Sequence, residues 1–176
     1  MIVIRLANTD DAPAIARVHI DTWHTTYRGL VPAEFLAQLS YERSEQKWRE
    51  LLSNPDQTPF VHVAEKEGVI VGFASSGPER EQDPVYHGEL YAIYVLDSHQ
   101  RQRVGRNLVQ ATARQLWENS FGSMLVWVLA KNPSRAFYER LGGRYLREKL
   151  ITIGGVALPK VAYGWPDIRF LIPEGE

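Results

Sequence analysis

The sequence predicts an α/β domain of the α+β kind, with a mixed, mostly antiparallel central sheet of about six to seven strands flanked by helices. Three observations predict it. The segments Phe60–Glu65, Val69–Ser76 and Glu89–Leu96 are rich in β-branched and aromatic residues and are divided by turn-forming stretches. After them, helical and strand patterns alternate through Val104–Ser120, Met124–Ala130 and the stretch after Asn132. Finally, Arg144–Ile153 and Val156–Trp165 flank Gly154-Gly155 as a closing hairpin.

Each element has a local reason. Ile2–Leu6 reads as an opening strand. Thr9 is placed to cap the next helix, and Asp10 and Asp11 put negative charge in its first turn, where the helix dipole favours it. Ala12, Ile15, His19 and Thr22/Trp23 recur at helical spacing. After Arg28-Gly29-Leu30, Pro32 starts a short helix to about Leu39. Tyr41–Leu52 follows, with Tyr41, Trp48 and Leu52 on one side and Asn54-Pro55 as its stop. Lys66-Glu67-Gly68 is a hairpin turn, and Pro78–Pro84 a polar loop. Val104, Leu108, Ala111/Thr112 and Leu116 face inward from one helix. Asn132 caps another, with Pro133 at its first position and Gly142-Gly143 at its end. No repeat, low-complexity segment or linker interrupts this order, so residues 1-176 read as a single domain.

Composition narrows the function. The 176 residues are 44% hydrophobic and 23% charged, an ordinary globular balance. A net charge of −1 gives no bulk case for nucleic acid or an anionic membrane, so any anion site must be local. Cysteine is absent, which removes disulfides, thiolate metal sites and a cysteine nucleophile. The N-terminus lacks the pattern of a signal peptide, and the apolar stretches fall well short of the roughly 20 residues that span a bilayer. A cytoplasmic protein is the expectation. His19 and His24 are five apart, facing away from each other on a helix, and no metal site is expected.

The chemistry concentrates in the run from Glu89 to Val109, which reads strand, turn, helix N-terminus. Gln100-Arg101-Gln102-Arg103-Val104-Gly105-Arg106 brings three arginines to a helix start, whose unpaired N–H groups carry partial positive charge. A polyanion such as a pyrophosphate suits that turn, and Gly105 lets it approach the backbone. The same composition also reads as a solvated turn.

That strand and turn resemble motif A of the GNAT superfamily of N-acetyltransferases. Asn132-Pro-Ser-Arg-Ala-Phe-Tyr138-Glu-Arg-Leu-Gly142-Gly143 resembles its motif B. Trp23–Pro32 and Tyr163-Gly164-Trp165-Pro166-Asp167 are similar to the corresponding regions of small bacterial members, so the resemblance covers nearly the whole chain. Arg103 stands where the family usually has glycine.

The resemblance implies acetyl-CoA as cofactor. It implies two central strands that splay into a slot for the pantetheine arm, which backbone groups around Ile93, Tyr94 and Val95 would hold like an added strand. The N–H groups from Arg101 to Arg106, including those of Gln102, Val104 and Gly105, would hold the pyrophosphate beside Gln100, with Asn132 on the pantetheine side.

The implied reaction moves acetyl directly onto a primary amine of a small molecule (polyamine, aminoglycoside or amino acid) or a peptide N-terminus. An ammonium must first lose a proton. Glu89 is the candidate base, acting through water, and Tyr138 the candidate acid near the cofactor sulfur. The strand N–H near Ile93 is the candidate oxyanion donor. His24 and His87 are alternative bases; Trp23, Tyr27 and His87 are candidates for the acceptor pocket. Acceptor specificity is expected in Trp23–Pro32, Gly77–His87 and Leu150–Leu158. Glu79, Glu81 and Asp83 read as a solvated loop, with attraction of a cationic acceptor as the other reading. A catalytically weak CoA-binding or regulatory module is the alternative, favoured only by Arg103. Nucleic-acid binding through Arg101, Arg103, Arg106 and Arg114 is disfavoured by the balanced charge and the lack of interleaved aromatics. A homodimer is open.

Overall fold

A computed structural model describes residues 1–54 and 59–173. Pro55, expected to help stop the helix before it, lies outside the described residues. Seven strands form one sheet: β1 (Ile2–Leu6), β2 (Phe60–Lys66), β3 (Val69–Pro78), β4 (Gly88–Val95), β5 (Met124–Leu129), β6 (Arg144–Ile153) and β7 (Val156–Trp165). Their spatial order is β1-β2-β3-β4-β5-β7-β6. Every pairing is antiparallel except β4 with β5. The expected mixed, mostly antiparallel architecture is therefore present.

The hairpins follow from their turns. Glu67 and Gly68 both have positive φ between Lys66 and Val69, as do Gly154 and Gly155 between β6 and β7. Such pairs build the two-residue turns whose twist matches that of the strands.

The helices are α1 (Ala12–Thr26), α2 (Ala33–Ala37), α3 (Tyr41–Leu52), α4 (Val104–Glu118) and α5 (Arg135–Arg140). Two starts differ from expectation. Asn8, rather than Thr9, caps the first turn: its side chain accepts from Asp10 N–H, and Asp11 accepts in return from Asn8 N–H. The chain then makes a short 3-10 turn before α1, because Asp11 is also gripped by Arg5 at 2.8 Å. Helix α5 begins at Arg135, since Asn132 Oδ1 accepts from Ser134 N–H and holds Pro133 in a preceding turn. Tyr41 does not join Trp48 and Leu52 in the core; its hydroxyl instead bonds Asp21 at 2.5 Å.

Two apolar layers sandwich the sheet. On one face, Leu108, Val109, Ala113 and Leu116 of α4 pack with Leu90, Val126, Val161 and Tyr163. On the other, Ile15 and Val18 of α1 and Trp48 of α3 pack with Val61, Val63 and Phe73. Each layer buries aliphatic side chains fully, worth roughly 1.5–3 kcal/mol apiece. A third cluster, around Tyr27, Val31, Leu36 and Leu129, joins the α1–α2 corner to the tip of the β6–β7 hairpin.

One departure from regular pairing positions the site. Strands β4 and β5 pair only through Gly88–Met124, Glu89–Leu125 and Leu90–Val126. At that point β4 carries a bulge: Ser76 faces Leu90 and Ser75 faces Ala92, leaving Tyr91 without a partner. A bulge sharpens local twist and bends the strand. Beyond it the two strands separate, and Tyr91–Val95 faces Trp127 and Val128 across a gap.

Candidate active site

The gap is a cleft of about 570 Å³ running from the bulge to the turn before α4. Ile93, Tyr94 and Val95 line one wall; Val126, Trp127 and Val128 line the other. Among the described residues neither strand edge has a β partner here, so unpaired backbone groups can accept an extended ligand as an added strand. Leu90, Ile93 and Val95 pack toward α4, whereas Ala92 and Tyr94 pack toward α1 and α3, so each face of β4 is distinct.

The far end of the cleft is cationic. Arg101, Arg103, Arg106 and Arg140 line it, and no carboxylate is among the lining residues. The first intrahelical bond of α4 runs from Asn107 N–H to Arg103 C=O, and the Arg103 side chain at the N-cap does not cap the helix. The amides of Val104, Gly105 and Arg106 thus lack an intrahelical acceptor and point out of the N-terminus. Arg101 and Arg103 have φ of 57° and 66°. A left-handed residue next to a right-handed one turns successive amides toward one side, a concave anion cradle, and Arg103 stands so against helical Val104. This explains Arg103: the position needs positive φ, which glycine adopts freely and arginine reaches at a cost of roughly 1–2 kcal/mol. Gly105 has a further reason, because a Cβ there would lie 3.3 Å from the Phe137 ring. Its bareness brings α5 against α4 at the mouth of the cradle.

Of the residues expected to hold a cofactor, Ile93, Tyr94, Val95, Gln100, Arg101, Arg103, Gly105, Arg106, Asn132 and Tyr138 line the cleft. Gln102 and Val104 do not. Gln102 donates to Ser98 C=O and stabilises the outside of the turn, and the Val104 side chain is core. Only the Val104 amide is available. Gln100 donates to Val95 C=O and closes the turn at the strand end.

Tyr138 is 5% exposed yet lines the cleft. Burial, with Tyr27 nearby, holds its hydroxyl above the ordinary phenol range. Tyr27 and Tyr94 are pushed the same way, chiefly by burial. Tyr27 lines the cleft and meets Asn132 Nδ2 at 3.4 Å, while Trp23 packs behind it at 4.4 Å between ring centres. Trp23 is therefore support, not lining. His87 is exposed on the loop before β4 and lines no described cavity.

Glu89 is placed differently from the expectation of a free base. It is 2% exposed, and Arg80 donates to both its oxygens, at 2.6 Å and 3.1 Å, with a third bond from Arg80 N–H. It opens on neither described cavity. The loop acids are likewise engaged: Glu79 accepts from Glu81 and Asp83 N–H, Glu81 pairs with Lys149, and Asp83 pairs with Arg147. The loop is charge-paired, while Arg80, Glu81, Gln82, Pro84 and Val85 stay exposed to solvent as expected.

Arg140, Phe137, Trp127, Thr22 and Thr26 also line the cleft, and sequence reasoning missed them in that role. Only Arg140 carried a usable signal, as a basic residue in the last turn of the motif B helix. Among the described residues, no group of three His, Cys, Asp or Glu gathers to hold a metal, and no helix is long and apolar enough to cross a membrane.

Comparison with known proteins decides the family. The model described as "Acetyltransferase (GNAT) family" matches residues 20–143. The chain belongs to the GNAT family of acetyltransferases. It is 42% identical over 171 residues to the uncharacterized N-acetyltransferase YuaI of Bacillus subtilis, covering 97% of this chain and 96% of that one. It is 28% identical over 130 residues to the phosphinothricin N-acetyltransferase of Streptomyces viridochromogenes, covering 73% and 67%. The fold also matches the crystal structure of the PaiA N-acetyltransferase of Thermoplasma acidophilum in complex with coenzyme A, at TM-score 0.71 and 15% identity over 92% and 98% of the two chains. This GNAT chain is accordingly an N-acetyltransferase.

Proposed function

We propose that this GNAT enzyme transfers acetyl from acetyl-CoA directly to the primary amine of a small molecule. The observation that carries the reading is the separation of β4 and β5 beyond Leu90 and Val126, which opens a carboxylate-free cleft ending in four arginines and an uncapped helix start. These residues fit the group. Arg101, Arg103, Arg106 and the α4 amides would hold its diphosphate, and the unpaired edges of β4 and β5 its pantetheine arm. When bound, acetyl-CoA supplies an acyl group activated as a thioester.

The chain's own residues supply a candidate acid, and a candidate base that is held by an arginine. The Tyr138 hydroxyl keeps its proton through the neutral range and lines the cleft, and it would donate that proton to the departing sulfur. Glu89, with both oxygens on Arg80, fixes that arginine against the Tyr91 ring, 4.4 Å from its centre, beside the bulge. A base role for Glu89 requires Arg80 to swing away, and the 61% exposure of the Arg80 side chain permits it. A relative named for phosphinothricin supports a small-molecule acceptor.

Calorimetric titration with coenzyme A, together with thiol release from acetyl-CoA in the presence of primary amines, tests the reading. CoA binding lost on joint replacement of Arg101, Arg103 and Arg106, with thiol release dependent on an amine, is the expected result. Absence of CoA binding to the wild-type chain would refute it.

A further inference from the structure

A second cavity, of about 340 Å³, lies on the α1–α3 side of the sheet, within the size range of small-molecule sites. Trp48, Leu51, Ala92 and the His19 ring give it apolar walls, with Tyr91 at one side. Tyr91 and Ala92 also line the main cleft, so the two spaces share a wall at the bulge where the strands begin to part. The opposite face of β4 is filled there, because Leu90, Ile93 and Val126 pack with α4. A ligand lying in the cleft at Tyr91 and Ala92 thus has room to extend toward α1 and α3.

The inner wall is aromatic, close-packed and uncharged. His19 stacks on Tyr94, 5.3 Å between ring centres, and meets Trp48 and Phe73 edge-on at 6.3 Å and 6.1 Å. Trp48 is itself buried and edge-on to Phe73 at 5.1 Å. Burial, with Lys47 nearby, pushes the His19 pKa down to about 4, so the imidazole is neutral at pH 7. Its Nδ1 has no hydrogen-bond partner among the described residues, and the ring is held by packing. Among the described residues that line the cavity, none is a carboxylate. Its two cations, Lys47 and Arg80, are the lining residues open to solvent, and Arg80 is already held by Glu89. An ammonium group inside would lose water without gaining an anion, whereas an apolar group gains by leaving water.

We propose that the second cavity is a subsite for the acceptor, and that it takes the apolar group of an arylalkyl or branched alkyl primary amine against Trp48, Leu51 and the His19 ring. The inference rests on the acetyltransferase reading and names the substrate class within it. The cationic end of the main cleft suits the diphosphate, which leaves the end at Tyr91 and Ala92 for the acceptor. Tyr91 is fixed there by its hydroxyl bond to Pro78 C=O and by Arg80 over its ring, so the wall between the two spaces is set before a ligand arrives. Polyamines and aminoglycosides meet the opposite conditions, with no carboxylate for a second ammonium and two cations at the opening.

The test measures phenethylamine and isopentylamine against ethylamine, and against putrescine and spermidine as amines with further positive charge. Thiol release from acetyl-CoA gives kcat/KM for each, and calorimetry on the CoA-saturated enzyme gives binding. The two apolar amines are expected to exceed ethylamine by about tenfold to a hundredfold, as burial of one such group implies. Ser44 and Leu51 line the cavity from α3, so Ser44→Trp and Leu51→Trp each place a ring in it. Both should bring that ratio toward one while leaving the Kd for CoA unchanged, and the retained Kd also reports that each variant is folded. Equal or better use of ethylamine, putrescine or spermidine by the wild-type chain overturns the inference, as does an unchanged ratio in both tryptophan variants. CoA binding with neither apolar amine acetylated overturns it as well. Failure of the wild-type chain to bind CoA is a separate result, and it removes the underlying reading too.

Discussion

Replacing Arg103 with glycine separates two properties that the wild-type residue combines. With φ at 66°, Arg103 occupies the left-handed region, at roughly 1–2 kcal/mol for an L-residue. Glycine removes that strain but surrenders about 0.5–1 kcal/mol of unfolded-chain entropy, so the ligand-free protein should gain up to about 1 kcal/mol. For a chain of this size the corresponding rise in Tm is about 2–4 °C. CoA binding should move the other way. Arg103 lines the cleft, and losing one charge-assisted bond to a phosphate costs about 1.5–3 kcal/mol, or roughly 10- to 100-fold in Kd. Thermal unfolding without ligand and calorimetric titration with CoA measure the two effects, with pantetheine as a control whose binding should not change. A fall in Tm would show that arginine is not strained at this position. An unchanged Kd for CoA would show that its side chain does not reach the diphosphate and that the arginine-lined end has been misread.

Other substitutions probe separate parts of the site. Tyr138→Phe should lower kcat by about 10²–10⁴ with little change in the Kd for CoA; equal loss in both would make Tyr138 a packing residue. Gly105→Ala sets a Cβ 3.3 Å from Phe137, so it should destabilise the fold and weaken CoA binding, and Phe137→Leu in the same chain should recover stability. No recovery in denaturant titration would place the clash elsewhere. Arg80→Gln frees the Glu89 carboxylate. If Glu89 only fixes Arg80, activity falls about as far as in Glu89→Gln; a gain in kcat would instead establish Glu89 as the base. Asp11 is held below its ordinary value of 3.8, chiefly by its hydrogen bonds from Arg5. Its folded pKa is lower than its unfolded one, so its contribution is complete above that ordinary value and disappears as pH falls through the folded value. Asp11→Asn should therefore be less stable than wild type at pH 7 in urea denaturation, and the difference should close in strong acid; a constant gap would mean the charge is irrelevant.

Much of this was legible locally. Tyr41–Leu52, Arg144–Ile153 and Val156–Trp165 have the bounds that their periodicity and turn residues predict. The arginine-rich helix start was visible as composition, because an anion site at a helix N-terminus is built from neighbours in sequence. Capping was less legible: Asn8 and Thr9 are both good N-cap residues, and the choice fell to Asn8 once Asp11 was drawn to Arg5.

Sequence by itself determined the order of elements, the family pattern and the cationic turn, since each depends on residues within a few positions of one another. Tertiary structure decided the rest. The cleft exists because β4 carries an extra residue at Tyr91 and shares only three pairs with β5, a matter of register between segments about 35 residues apart. Likewise, whether Glu81, Asp83 and Glu89 meet solvent or a cation depends on where Lys149, Arg147 and Arg80 arrive. Coulomb interactions act through space, so a carboxylate's role is set by the partner that folding delivers, not by its neighbours along the chain.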